Sequence, residues 1–319
     1  MNPKLKGKFL INTLKDKTKK EGWTIVCCFS RRFYIPLFFK ALDQMDIPRD
    51  QVHLLVYDNT DDKQLEADLI SVVERLKEHY ASVRLYKSYL HSKYTTDGKP
   101  SKPFKDSKTS NIWEMWKDLK NHIQTPFFFQ LEDDTIAPPH AFALLTRDLT
   151  QNLDAAYVTG IETSRNSIPW MVTRLGVHQM SVCPCGGRNK ILKRHSLDPE
   201  TKGTVPITCS GVYCFAARTE EFFDGLKEFD PYKINPPIWA LDMLFTRNMR
   251  LQGHAIYANF NVWCTHLHSS GARVIAWGKE QAVEMIDIWM PECDNYAMGI
   301  EVCKDGKPKD IKPADSWEI

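Results

Sequence analysis

No stretch of the 319 residues comes near the roughly 20 consecutive apolar positions that a membrane-spanning helix needs. A secretory start is missing too: the first twenty residues carry seven lysines and no apolar core of signal-peptide length. Nine cysteines, an odd number, do not make a disulfide framework, and Cys27 and Cys28 are adjacent within an apolar segment. Successive side chains of a strand point to opposite faces, so a bridge between those two would be strained. These absences lead to the expectation of a reducing, cytoplasmic setting. Strong net charge is also lacking, at +2, and this rules out neither an acidic nor a neutral partner. Finally, no glycine follows the first apolar segment, which runs into Phe29-Ser30-Arg31-Arg32. A loop that wraps phosphates with backbone N–H groups needs glycine there, and its absence argues against a sugar nucleotidyltransferase.

What is present is a regular alternation. Residues 1–22 read as a basic, partly helical lead-in, with a surface for anionic lipid or nucleic acid as the alternative. WTIVCCF (23–29) is a strand, followed by a helix on Phe33, Leu37, Phe38 and Leu42. QVHLLVY (51–57) is a second strand, and the polar cluster 58–62 caps a helix carrying Leu65, Leu69, Val72, Val73 and Leu76. Residues 83–86 make a short third strand. The lysine-rich segment 91–108 reads as a long loop of the kind that often binds ligands. A helix with Ile112, Trp113, Trp116 and Leu119 then leads to the apolar run Phe127–Leu131. Helix 139–149 and strand 155–160 follow. Such alternation specifies an α/β fold with a mostly parallel central sheet and helices on both faces.

The central run ends in Glu132-Asp133-Asp134. Three adjacent acids repel one another when dry, so a cation belongs beside them unless the turn is simply solvated. Hard divalent ions are commonly held by one or two carboxylates plus substrate phosphates. In open sheets, ligands collect beyond the carboxyl ends of the strands. Three polar ends converge there: Ser30-Arg31-Arg32, Asp58-Asn59 and Glu132-Asp133-Asp134.

The second half is less regular. Residues 162–208 show little periodicity and carry Arg165, Arg174, Arg188, Lys190, Lys193, Arg194 and Lys202, a charge suited to an anionic acceptor. Cys183-Pro184-Cys185, with His178 and His195, could form a small zinc site, but one residue between the cysteines is fewer than a zinc knuckle uses. TCSGVYCFAA (208–217) reads as a strand whose glycine allows close approach of a ligand. In PPIWALD the prolines start a helix, and Asp242 falls in early turns, where the helix dipole favours a carboxylate. After a strand at 255–260 comes WCTHLHSSG, and a closing helix spans 278–290.

The succession TIVCCFSRR, LLVYDNTD, TSNIWEMWKDL and FFFQLEDDT resembles the nucleotide-sugar half of GT-A fold (Rossmann-like) glycosyltransferases, closest to the family-2-like branch. The resemblance covers residues 23–271: a nucleotide-binding half at 23–160 and an acceptor-side half at 161–271 with a basic insertion. A lead-in (1–22) and a helix and tail (272–319) flank it. It implies that Asp58 hydrogen-bonds the base and that Asn111 lies near the nucleotide. The acidic triplet corresponds to the DxD motif, with Glu132 in the first slot and Asp134 the direct metal ligand. Ser30, Arg31 and Asp133 then join the donor site, Arg31, Arg32 and Lys108 offering contacts to the phosphates. Ser210, Gly211 and Trp239 become donor or acceptor contacts. WALD resembles the xED motif, Leu241 replacing its first acid, and makes Asp242 the general base. A late histidine, His266 or else His268, reaches the metal, Mn²⁺ or Mg²⁺. The implied protein is a metal-dependent, inverting transferase moving a sugar from a nucleotide sugar such as a UDP-sugar to an acceptor hydroxyl. The acceptor would be a glycan, a lipid-linked sugar or a hydroxylated DNA base such as a hydroxymethylpyrimidine. A non-catalytic nucleic-acid-binding protein is the further alternative, and it leaves the acids unexplained.

Overall fold

The computed structural model describes residues 7–14, 21–30, 35–89, 113–162, 177–182, 191–196, 202–207, 209–226, 245–246, 248–250, 252–267 and 273–274, with backbone alone at 177–182, 191–196, 209, 266–267 and 273–274. The first half contains strands β1 (Gly7–Asn12), β2 (Trp23–Phe29), β3 (Val52–Asp58), β4 (Ser82–Ser88) and β5 (Phe127–Glu132). Helices α1 (Ile35–Gln44) and α2 (Lys63–Leu76) separate β2, β3 and β4, and α3 (113–119) precedes β5. The strands β4-β3-β2-β5 are neighbours in that order and all run parallel.

The uninterrupted apolar strands have a simple cause: both faces of the sheet are covered. On one face Ile25, Cys27 and Phe29 of β2, Leu54 and Val56 of β3, and Phe129 and Leu131 of β5 pack with Phe38, Leu42, Leu65 and Leu69 of α1 and α2. The intervening Val26, Leu55, Tyr57 and Phe128 face the opposite layer with Trp113, Trp116, Phe222 and Phe245. Helix α2 starts where the polar cluster places it. Asp62 caps it, accepting from the backbone N–H groups of Gln64 (2.8 Å) and Leu65 (3.1 Å), a contribution of about 1 kcal/mol.

The second half adds β6 (Thr135–Ile136), α4 (Ala141–Gln151), β7 (Ala155–Glu162), β8 (Val177–Val182), β9 (Ile191–Ser196), β10 (Thr204–Pro206) and β11 (Cys209–Ser210). It continues with β12 (Cys214–Arg218), α5 (Thr219–Asp224), β13 (Ala255–Leu267) and β14 (Arg273–Val274). The main sheet runs β1-β4-β3-β2-β5-β12-β7-β13-β10, while β11-β8-β9 form a separate three-stranded antiparallel sheet. Strand β12 is antiparallel to both β5 and β7, and β13 returns parallel to β7. The sheet is therefore mixed, with its parallel block formed by β4, β3, β2 and β5.

Three local expectations are corrected. The lead-in is not helical at 7–12: β1 pairs antiparallel with β4 and closes the sheet edge, burying Ile11 while Phe9 stacks edge-on against Tyr86. An apolar FLI run beside an otherwise open edge gains more from pairing than from a solvated helix. Segment 162–208 is not irregular throughout, since β8, β9 and β10 lie within it. Its basic side chains hid the pattern, because these strands belong to a small sheet and an edge rather than to a covered core. The single strand expected at 208–217 is two short ones, β11 and β12, with a turn at 211–213. The loop 91–108, the cysteines of the proposed zinc site and the helix 278–290 lie outside the described residues.

Candidate active site

The acidic turn sits where β5 leaves the sheet. Glu132 is half-buried, its backbone N–H bonded to the Tyr213 carbonyl (2.9 Å) and its Cα in register with Cys28 of β2. Asp133 and Asp134 are buried. Asp133 is anchored across the sheet: one carboxylate oxygen accepts from the Ser30 backbone N–H (2.7 Å) and from its hydroxyl (3.1 Å). Ser30 directly follows β2, so this pair fixes the end of β2 to the end of β5. The local field is negative. Burial pushes the Cys28 thiol well up, and Cys27, Glu132 and Asp133 push it further; burial and then Glu162 raise the Tyr213 hydroxyl in the same way.

Strand β13 reaches the same turn from the far side. Gly160 of β7 lets it come close, for a Cβ there would lie 2.9 Å from the Val262 side chain. The β7–β13 register shifts between Ala258 and Trp263, and beyond that irregularity β13 also pairs with β6. There Thr265 lies opposite Ile136 and His266 opposite Thr135, the residue after Asp134. A bulge that re-aims a strand next to a site has this geometry. The backbone thus carries His266 to the acidic turn; its side chain and all of His268 lie outside the description.

Glu162, which the sequence reading passed over, is a buried acid at the end of β7 whose Oε2 accepts from the Thr135 hydroxyl (3.3 Å). Its signal was positional: it terminates an apolar strand just as Asp58 and Glu132 do. Among the described residues no group of three or more His, Cys, Asp or Glu side chains is close enough together to hold a metal.

Asp58 ends β3 fully buried, with both oxygens engaged. Oδ1 accepts from the Thr60 N–H and hydroxyl (2.9 Å each), and Oδ2 pairs with Lys87 Nζ at 2.6 Å. Lys87, itself buried in β4, also reaches Glu66 of α2 at 3.2 Å. Burial pushes the Asp58 carboxyl up, against the opposing pull of Lys87 and Thr60. Glu66 is raised by its partial burial, yet Lys87 and Lys63 hold it below the usual carboxylate range. Lys87 was also missed, although a lysine inside an otherwise covered strand is a readable sign of a buried partner.

Ser210 is fully buried. Its hydroxyl lies 2.9 Å from that of Tyr157 and bonds the Gly211 carbonyl, which also accepts from Tyr157 (2.8 Å). Its backbone exchanges bonds with the Thr246 hydroxyl, at 2.9 Å and 3.0 Å. These bonds commit Ser210 and Gly211 to holding residues 245–246 against β11. Arg31, Lys108, Asn111, Trp239 and Asp242 lie outside the described residues. No helix among the described residues is long and apolar enough to cross a membrane, and Cys27, Cys28, Cys214 and Cys264 are free thiols.

No family model matches the chain, and no curated protein matches it in sequence. In structure it is similar to GalNAc-T7 crystallised with UDP, GalNAc and Mn²⁺, at 13% identity over 86% of this chain and 49% of that one, TM-score 0.49. It is similar to S. aureus TarS 1–349 at 14% identity, 86% and 65% coverage, TM-score 0.43. It is also similar to the mannosyltransferase PcManGT from Pyrobaculum calidifontis in complex with GDP-Man and Mn²⁺, at 12% identity, 76% and 55% coverage, TM-score 0.47. The chain spans about half to two thirds of the length of these structures.

Proposed function

We propose that this chain is a GT-A fold, metal-dependent glycosyltransferase that moves a sugar from a nucleotide sugar to an acceptor hydroxyl with inversion. The observation that carries the reading is the convergence at the acidic turn. Asp133 binds Ser30 at the end of β2, while β13 sets His266 opposite Thr135. Segments far apart in sequence meet at the carboxyl end of the parallel block, where such sheets bind ligands.

The donor set fits a hard divalent ion. Glu132 and Asp134 would offer carboxylate oxygens in a negative local field, His266 would add an imidazole, and substrate phosphates would complete the shell. Bound there, Mn²⁺ or Mg²⁺ supplies Lewis-acid stabilisation of the charge that builds on the departing diphosphate. The chain's own residues do the remaining work. Ser30 holds Asp133 and thereby fixes the turn, and Arg31 and Lys108 add cationic contacts to the diphosphate. Asp242 accepts the proton of the acceptor hydroxyl as it attacks the anomeric carbon opposite the leaving group. Thr246, four residues further on in the chain, is bonded to Ser210, which ties residues 245–246 to β11.

A thermal-shift panel of UDP-, GDP-, ADP-, CDP- and dTDP-sugars with and without Mn²⁺ tests this. One nucleotide class should raise the melting temperature, and Mn²⁺ should enlarge the shift. A panel in which no nucleotide sugar stabilises the chain, with or without metal, sinks the assignment.

A further inference from the structure

Resting on the transferase reading above, we propose that Glu162 is a positioning residue of the cation site. Through Thr135 it locks the joint at which β13 delivers His266 to the acidic turn, and its charge adds to the field that holds the ion there. Glu162 ends β7 and is 4% exposed, and its Oε2 accepts from the Thr135 hydroxyl at 3.3 Å. Thr135, itself buried, is the residue after Asp134 and opens β6. Its backbone lies opposite His266 of β13, while Glu162 lies level with Cys264 of the same strand.

The joint needs such a tie. Strand β13 changes partner at this point: it pairs with β7 as far as Cys264 and with β6 at Thr265 and His266. Strand β6 has only two residues, and the β7–β13 register has already shifted between Ala258 and Trp263. Neither ladder alone fixes where residue 266 falls, since a slip of one residue would turn its side chain to the other face. The Glu162–Thr135 bond joins the two strands that β13 touches in succession, at the place where it passes from one to the other.

A carboxylate is a costly choice for a tie alone, because a neutral acceptor would bond a hydroxyl without burying a charge. What the acid adds is negative field beside the turn. Burial and then Glu162 push the Tyr213 hydroxyl up; burial, Cys214 and then Glu162 do the same to the Cys264 thiol. The Tyr213 carbonyl accepts from the Glu132 N–H (2.9 Å), so Glu162 and the acidic turn flank one residue. Among the described residues Glu162 makes no metal-holding group with those acids. Its work is that of a carboxylate behind the ligands, which orients them and raises their hold on the ion.

The test titrates the full chain with Mn²⁺ alone, follows the free ion by electron paramagnetic resonance, and records a urea unfolding curve for each variant. Glu162→Ala and Thr135→Val should each weaken Mn²⁺ about tenfold. The double variant should be no worse than Glu162→Ala, because both changes remove the same tie. Thr135→Ser keeps the hydroxyl and should bind as wild type. Glu162→Gln keeps an acceptor for Thr135 but loses the charge, and should fall between wild type and Glu162→Ala; with Thr135→Val it carries the test if Glu162→Ala does not fold. Wild-type Mn²⁺ affinity in both Glu162→Gln and Thr135→Val overturns the proposal and leaves the transferase reading intact. Affinity that falls only where the urea curve shows the chain already partly unfolded makes Glu162 a structural residue and overturns it too. A wild type that binds no Mn²⁺ overturns the proposal, and if no nucleotide sugar stabilises it either, the transferase reading falls with it.

Discussion

The two halves of the main sheet deliver residues to the same turn by different routes. On the parallel side, Ser30, Asn59 and Asp133 each follow immediately after a strand whose central residues are packed between two layers. On the other side, β13 is aimed at the turn only after its register with β7 slips, and residues 245–246 are held to β11 of the small sheet through Thr246 and Ser210. The first arrangement is stiff because position follows from strand length. The second depends on a few irregular contacts, so its geometry follows from tertiary packing rather than from strand length.

The comparison can be broken most sharply at the two proposed catalytic acids. Asp134→Ala should abolish Mn²⁺-dependent donor binding, whereas Asp242→Asn should bind donor normally and lose transfer by about a thousandfold or more. Calorimetry alongside a turnover assay checks both. Unchanged donor affinity in the first, or near-normal turnover in the second, would contradict the division of labour between the halves.

Next in size is the buried charge of the parallel side. Lys87→Met leaves Asp58 without its cation and should cost about 3–5 kcal/mol in a urea unfolding curve, since removing one member of a buried pair strands the other. Lys87→Met with Asp58→Asn should recover part of that loss, because the stranded charge is gone. A single variant as stable as wild type would mean that the pair adds nothing to the rigidity assigned to this half.

A smaller effect is expected across the sheet. Thr246→Val removes the hydroxyl that serves both the backbone N–H and the carbonyl of Ser210 and should cost about 1–3 kcal/mol. It should lower turnover more than donor affinity, since it loosens the segment after Asp242. An equal effect on both quantities would place Thr246 in the donor half instead.

Much of this was legible along the chain. The strands at 23–29 and 127–131 and a cap within 58–62 were readable because a covered strand must be apolar throughout and a cap needs its acceptor beside the first N–H groups; Asp62 is the residue that caps. The acids at 132–134 stood out as a candidate site because charge following such a strand needs a partner. Lys87 and Glu162 were not picked out: each carries a positional sign, within or at the end of an apolar strand, but only the fold shows its partner. Strand β1 went unread for a related reason: its apolar residues matter only once β4 stands next to them as an open edge.

Local order was thus inherent in the amino-acid pattern: the alternation of strand and helix, the two-sided packing and the placement of acids at strand ends. Tertiary structure alone decided that Asp58 would be sealed against Lys87, and that β13 would slip in register so that His266 lies opposite Thr135. Periodicity is a property of neighbours in the chain. Partnership between residues some 30 to 130 positions apart depends on register, which only the assembled sheet supplies.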